Sequence, residues 1–150
     1  MNFKPALSMM LLAVSLLCGS GISTASESVT LVFIVNADNP VGAISEGDLR
    51  EMFFKRKKSW PDGTAVRFID RSSGSAIRQD FLKSILMKKS DEIEMYWIGQ
   101  KLYSGDSAPL QQASDAMTIR FVESFKGAIG YVSSSTELSD RKVKAVKVER

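Results

Sequence analysis

Apolar residues recur along this chain with two different periods, which together predict strands alternating with helices. Residues 29–35 form a nearly continuous, β-branched apolar run, the pattern of a strand covered on both faces, as in a parallel sheet. Short strands are also predicted over residues 66–70 and 127–132. From residue 143 to residue 148 apolar side chains alternate with Lys and Glu, which predicts a half-exposed edge strand.

Helical spacing of apolar residues is found in the segments between these strands. Ser45 opens a sequence that resembles a capping box before a short helix, and further helices are predicted from about Ser75, Ser90 and Ser114. The apolar residues assigned to the four helices are Leu49, Met52 and Phe53; Ile77, Phe81 and Ile85; Ile93, Tyr96, Trp97 and Leu102; and Met117, Phe121 and Phe125. The alternation predicts a layered α/β/α domain with a mostly parallel central sheet.

The first 25 residues have the pattern of a signal peptide. Lys4 supplies a positive charge, residues 6–17 are almost entirely apolar, and Ser23-Thr24-Ala25 places small residues where a signal peptidase reads them. The apolar run is shorter than the roughly 20 residues needed to cross a bilayer. We therefore predict cleavage after Ala25 and a mature domain over residues 26–150.

Cys18 raises a second interpretation, in which a lipid on its sulfur anchors the protein to a membrane. Leu17 is bulkier than lipoprotein processing usually accepts, so secretion is preferred. After cleavage the chain has neither Cys nor His. An exported domain without disulfides suits the bacterial periplasm better than the extracellular space, where small domains are disulfide-rich.

The composition removes several classes of function. The chain contains no His and one Cys, which excludes His-based catalytic triads, His-ligated zinc or haem, thiolate zinc sites and iron–sulfur clusters. Its net charge is +3, from 20 basic and 17 acidic side chains, so the overall charge does not indicate nucleic-acid binding. We expect a non-enzymatic protein without a metal or other cofactor.

The segment from Asp70 to Arg78 carries the strongest signal for a binding site. A strand is predicted to end at Asp70, a serine-rich loop follows, and a helix begins near Ser75. Free backbone amides at the helix start, serine hydroxyls and the guanidinium groups of Arg71 and Arg78 are donors suited to an oxyanion. The alternative is an ordinary helix cap, which needs only one of these serines, with both arginines solvated.

Other candidate features are weaker. Residues 55–58 form a basic run that would attract a phosphate-rich partner, although four bases without interleaved aromatic residues are usually a solvated loop. Trp60 and Trp97 are expected to pack in the core rather than to line a pocket. Ser73 and Ser75 have no activating base, so a serine hydrolase site is not indicated.

Six short motifs follow one another between about residues 32 and 132. They are Val35-Asn36 to Pro40, Ile44-Ser45 to Asp48-Leu49, Met52-Phe53-Phe54, Trp60-Pro61-Asp62-Gly63, Arg71-Ser72-Ser73-Gly74-Ser75 and Gly127-Ala128-Ile129-Gly130-Tyr131-Val132. Their order and spacing resemble the phosphate-binding proteins of ABC transporters, within the type 2 periplasmic-binding-protein superfamily. Those proteins have two lobes that close over the ligand, so the resemblance implies one periplasmic-binding-protein-like lobe for a chain of this length.

The same resemblance implies which residues bind the ligand. In that family an Arg and a Ser-Gly-Thr sequence at a helix start bind phosphate. Arg71 matches the arginine and Ser75 the serine, whereas Ala76 replaces the glycine and Ile77 the threonine. Ile77 lacks a hydroxyl, which costs about 1–3 kcal/mol of binding free energy if the ligand is left unsatisfied. The predicted ligand-binding residues are Arg71, Ser72, Ser73, Gly74, Ser75, Ala76 and Arg78.

These observations predict an exported, non-catalytic binding protein for phosphate or a similar oxyanion. The resemblance implies a link to an ABC phosphate uptake system, so the expected partners are the anion and a membrane transporter or sensor, with no nucleic acid. The alternative is a periplasmic interaction or sensory module that keeps the fold without high-affinity ligand binding. Ala76, Ile77 and the single predicted lobe motivate this alternative.

Overall fold

The computed structural model describes residues 30–150, which form six strands and four helices. The strands are β1 (Leu31–Asn36), β2 (Ala43–Ser45), β3 (Arg67–Arg71), β4 (Leu110–Gln112), β5 (Ala128–Ser133) and β6 (Val143–Glu149). The helices are α1 (Glu46–Phe53), α2 (Ala76–Phe81), α3 (Ser90–Ser104) and α4 (Asp115–Ser124), and α2 continues into a π-helical turn (Leu82–Leu86). The predicted signal peptide and its cleavage site lie outside the described residues. Within residues 30–150 none of the helices is both long and apolar enough to cross a membrane.

All six strands belong to one mixed sheet, in the order β2-β6-β1-β5-β3-β4. β3 runs parallel to both β4 and β5, and β2 runs parallel to β6. β1 lies inside the sheet and pairs antiparallel with β5 and β6. The apolar run of β1 is therefore covered on both faces, as predicted, but its two neighbours are antiparallel.

Helices cover both faces of the sheet, which confirms the three predicted layers. On one face α1, α2 and α3 pack around an aromatic core that includes Phe53, Phe81 and Tyr131. The rings of Phe81 and Tyr131 are stacked, with centroids 4.6 Å apart. On the opposite face α4 packs against the sheet through Ile119 and Val122.

Serine side chains satisfy free amides at the starts of α1 and α4. Ser45 Oγ accepts a hydrogen bond from the Asp48 N–H at 3.0 Å, which confirms the predicted cap. Ser114 Oγ accepts one from the Met117 N–H at 3.2 Å. The N-terminal turns of these two helices are therefore closed by their own side chains.

Two local predictions were wrong. β6 is not an edge strand, because β2 pairs with its end and forms the edge instead. Of the apolar residues assigned to the helix after Ser114, Phe121 is partly buried against the core, but Met117 is 48% exposed and Phe125, just beyond the end of α4, is 36% exposed, while Thr118 is buried. The reason lies in β5, where a Cβ on Gly130 would come within 2.8 Å of Thr118 Cγ2. The small residue on the sheet lets the Thr118 side of the helix approach closely.

Candidate functional site

β3 ends in two buried charged residues on which the site is built. Asp70 and Arg71 are 2% and 6% exposed. Asp70 Oδ1 accepts hydrogen bonds from the Tyr131 hydroxyl at 2.5 Å and from the Arg71 N–H at 2.8 Å, and Oδ2 accepts one from Arg78 Nε at 2.9 Å. Burial, reinforced by the Asp70 carboxylate, raises the pKa of the Tyr131 phenol. The hydroxyl therefore stays protonated and remains a donor to Asp70.

The Arg71 guanidinium is bound to the segment that starts α4. Nη1 forms an ion pair with Asp115 Oδ1. Nε donates to the Gln112 carbonyl oxygen at 3.2 Å, and Nη2 donates to the Ala113 carbonyl oxygen at 3.5 Å. All three nitrogens of the Arg71 side chain have protein acceptors. Arg71 is thus buried and paired, which is contrary to the alternative in which it is solvated.

Asp115 is the anion that balances Arg71. Its Oδ2 also accepts hydrogen bonds from the Thr136 hydroxyl and, at 3.0 Å, from the Ser133 N–H. Burial alone would raise the pKa of Asp115, but the donors from Thr136, Ser133 and Arg71 outweigh it and hold that pKa below its ordinary value. Asp115 is therefore charged near neutral pH, and the Arg71 charge is compensated within the fold.

Arg78 projects from α2 and is 3% exposed. Besides the Asp70 carboxylate, it binds Ser90 Oγ at the start of α3 through Nη1, at 3.1 Å. Nη2 has no acceptor within residues 30–150. Trp97 Nε1 is the one fully buried side-chain nitrogen without a partner in that region, so Arg78 Nη2 is not fully buried. Nη2 is therefore a charged donor that the described part of the chain does not use.

The loop between β3 and α2 is closed on itself by hydrogen bonds. The Ser75 N–H and hydroxyl both donate to the Ser72 carbonyl oxygen, at 3.2 and 2.9 Å. The Ser72 N–H donates to the Gln112 carbonyl oxygen at 3.1 Å. Gly74 has a φ of +86°, which glycine adopts without the strain that a side chain would bring. The loop is thus a defined turn anchored to β4.

Four backbone N–H groups of this loop and the first turn of α2 have no protein acceptor within residues 30–150. They belong to Ser73, Gly74, Ala76 and Ile77. Ser75 is the N-cap residue but forms no side-chain cap, so the serine-cap alternative is not what the structure shows. Ser73, Gly74 and Ala76 are exposed, whereas Ile77 is buried in the core. Three of the four free amides therefore belong to exposed residues, and the fourth belongs to a residue whose side chain is buried.

The remaining candidate features have structural roles. Lys57 in the basic run pairs with Asp48 at 2.7 Å. Trp60 is buried and donates from Nε1 to the Gly127 carbonyl oxygen at 2.9 Å. Trp97 is buried in the aromatic core, so both tryptophans pack as predicted. In the part of the chain that the structure describes, no three His, Cys, Asp or Glu side chains converge to hold a metal ion.

Sequence reasoning missed the partners that compensate the two arginines. Asp115 is 44 residues from Arg71 in sequence, and Tyr131 is 61 residues from Asp70. Only the strand order of the sheet brings these side chains together. Asp70 and Arg78 are only 8 residues apart in sequence. They lie at the end of a predicted strand and near the start of the predicted helix that follows, and this short separation is the local signal that could have indicated their ion pair.

Comparisons with known proteins agree with the fold. A family model described as a PBP superfamily domain matches residues 29–150. The structure is similar to an ABC-type phosphate transport receptor from Vibrio cholerae, with a TM-score of 0.62 and 19% identity over 80% of this chain and 46% of that chain. It is also similar to PstS from Borrelia burgdorferi, with a TM-score of 0.61 and 17% identity over 79% of this chain and 47% of that chain.

A third similar structure, from Clostridium perfringens, contains bound phosphate. Its TM-score is 0.58, and the identity is 22% over 79% of this chain and 44% of that chain. The present chain thus spans less than half the length of each of these three structures. No curated protein matches the chain.

Proposed function

The chain belongs to the PBP superfamily, and on that basis we propose that it is a non-catalytic binding protein for phosphate or a similar oxyanion. The observation that carries the proposal is the set of four amides, at residues 73, 74, 76 and 77, without a protein acceptor in the described part of the chain. Backbone N–H groups without an acceptor at the start of a helix suit an anion. Two of the similar structures support this ligand class, since one is named as a phosphate transport receptor and one contains bound phosphate.

The proposed site consists of the two buried arginines, Arg71 and Arg78, and the loop between them. Arg78 offers Nη2 as a charged donor, and the four free amides and the Ser73 hydroxyl supply the other contacts. Asp70 and Asp115 compensate the two guanidinium charges, so recognition rests on donor geometry more than on net charge. The proposed ligand-binding residues are Arg71, Ser72, Ser73, Gly74, Ser75, Ala76 and Arg78.

A proline at position 76 removes one donor while preserving the fold. Ala76 is the first residue of α2, a position where proline is well tolerated. The preceding Ser75 has φ −71° and ψ 138°, the extended conformation that a residue before proline adopts. Because the Ala76 N–H has no protein acceptor in the described region, its loss costs the protein little. Ala76→Gly is the matched control, because it changes the same side chain and keeps the N–H.

Isothermal titration calorimetry with phosphate and with sulfate at low salt tests the proposal. We expect the wild type and Ala76→Gly to bind, and Ala76→Pro to bind about tenfold or more weakly, since a hydrogen bond to a charged group contributes about 1.5–3 kcal/mol. Absence of heat with both anions, or equal binding by all three proteins, would contradict the proposal.

We also propose that the protein works in the periplasm after cleavage at Ala25 and hands its anion to an ABC transporter. The leader pattern of residues 1–25 supports export, and the Vibrio cholerae structure is named as an ABC-type transport receptor. Cell fractionation with N-terminal sequencing checks the first part. A cytoplasmic protein that keeps residues 1–25 would contradict it.

A second candidate function is an interaction or sensory module that keeps the fold without tight ligand binding. It is favoured by Arg71, whose three nitrogens are all bound by the protein, and by Ile77, which is buried where a hydroxyl donor would serve a ligand. Cross-linking in the periplasm should then trap a partner equally well with the wild type and with Ala76→Pro. A protein recovered only as free monomer counts against this function.

A further inference from the structure

A groove of about 650 Å³ adjoins the proposed oxyanion loop. Ser73 and Arg78 form part of its wall, and the rest comes from α3, from the segment that leads into β4 and from Gln111 in β4. The groove therefore joins the loop to the exposed surface of the longest helix. The proposed function leaves this surface unused.

The α3 side of the groove is an exposed apolar wall. Ile98 and Leu102, one helical turn apart, line the groove and are 55% and 82% exposed. Beneath them Ile93 and Trp97 are buried and line it as well. Exposed apolar side chains that lie together beside a groove are typical of ligand-binding grooves.

The same groove contains donors and charges. Arg78 contributes Nη2, and Ser73 contributes an N–H and a hydroxyl that have no acceptor within residues 30–150. Lys101 also lines the groove, where its Nζ contacts Ser107 Oγ at 3.2 Å. Glu94 is its one acidic lining residue. Cationic and neutral donors thus outnumber the single carboxylate, which favours an anionic group next to an apolar one.

We propose that the groove binds an organic oxyanion, namely a phosphate monoester or a phosphonate that carries an aromatic or alkyl group. The anionic head contacts Ser73 and Arg78, and the apolar group covers Ile98 and Leu102. This inference rests on the proposed function, because the head uses the same loop. Inorganic phosphate would leave the apolar wall exposed to water, whereas an organic ester removes it from water and gains affinity.

Calorimetry with phenyl phosphate, inorganic phosphate and benzyl alcohol tests the proposal on the purified protein. We expect phenyl phosphate to bind about tenfold or more tightly than inorganic phosphate, because the ring buries apolar surface. Leu102→Ala should remove most of that advantage. Tyr103→Ala is the matched control, since Tyr103 is 95% exposed on the same helix and does not line the groove. Phenyl phosphate should also shift the NMR signal of the Trp97 indole N–H.

The outcomes separate this inference from the proposed function. Equal affinities for phenyl phosphate and inorganic phosphate would overturn the inference and leave the proposed function standing. No binding of either anion would overturn both. Benzyl alcohol binding as tightly as phenyl phosphate would show that the groove takes apolar molecules without an anion. A Leu102→Ala variant that alters only self-association, with no effect on phenyl phosphate, would show a protein interface instead.

Discussion

Replacing Tyr131 by Phe removes one oxygen atom from the centre of the ion-pair network. Tyr131 is fully buried, with 0% exposure, and its hydroxyl donates to Asp70 Oδ1 at 2.5 Å. The ring keeps its stacked contact with Phe81 in the variant, since only the hydroxyl is lost. The hydroxyl also accepts a longer hydrogen bond from the Arg71 N–H at 3.3 Å. The substitution therefore removes the hydrogen bond to the buried Asp70 carboxylate together with this weaker one.

The expected loss of stability depends on the hydrogen bonds that Asp70 keeps in the variant. A hydrogen bond to a charged group contributes about 1.5–3 kcal/mol to stability. Asp70 keeps the Arg71 N–H at 2.8 Å and Arg78 Nε at 2.9 Å, so its charge remains partly compensated. We expect Tyr131→Phe to lower the free energy of unfolding by about 2 kcal/mol.

Urea unfolding followed by tryptophan fluorescence measures this cost. Tyr96→Phe is the matched control, because Tyr96 is only partly buried and its hydroxyl has no hydrogen-bond partner within residues 30–150. We expect the control to change the free energy of unfolding by less than about 0.5 kcal/mol. Equal losses in the two variants would refute the role assigned to the Tyr131 hydroxyl.

Three further predictions concern glycines and acidic residues. Gly127→Ala places a Cβ against the Ala65 carbonyl and should destabilise the fold by about 3 kcal/mol, measured by urea unfolding. Gly99→Ala, inside α3 with no heavy atom near the added Cβ, should instead stabilise it by about 0.5–1 kcal/mol. Folding lowers the pKa of Asp115, so its contribution to stability is complete above the unfolded pKa of about 3.9 and is lost as the pH falls through the folded pKa. The difference in unfolding free energy between the wild type and Asp115→Asn should therefore shrink below about pH 4, and a constant difference would contradict this.

The layers of the fold could be predicted from the sequence because each depends on local patterns. The run of residues 29–35 indicated a strand covered on both faces, and β1 occupies such a position. Its antiparallel neighbours could not be predicted, since a strand buried on both faces has the same apolar pattern with either orientation. β2 and β4 have three residues each, too few for a period to be recognised.

The local structure of the candidate site could also be predicted, because it depends on a contiguous stretch of sequence. The strand, serine-rich loop and helix start at residues 70–78 are contiguous, and the structure places them together with free amides. The pairing of Arg71 depends on Asp115, and the hydrogen bonds of Asp70 depend on Tyr131. Both partners approach only because β5 pairs beside β3 and α4 follows β4. No local spacing encodes these contacts. Whether an arginine is free or compensated is therefore a property of the tertiary structure.

The most direct test of the account is a titration of the ¹⁵N-labelled protein with inorganic phosphate, followed by amide NMR. The central claim is that the free amides beside β3 receive an oxyanion. It predicts progressive shifts for the N–H groups of Ser73, Gly74, Ala76 and Ile77, with little change for Ile129 inside the sheet. Unchanged signals at these four amides would contradict the claim, whether or not the signals of other residues shift on addition of phosphate.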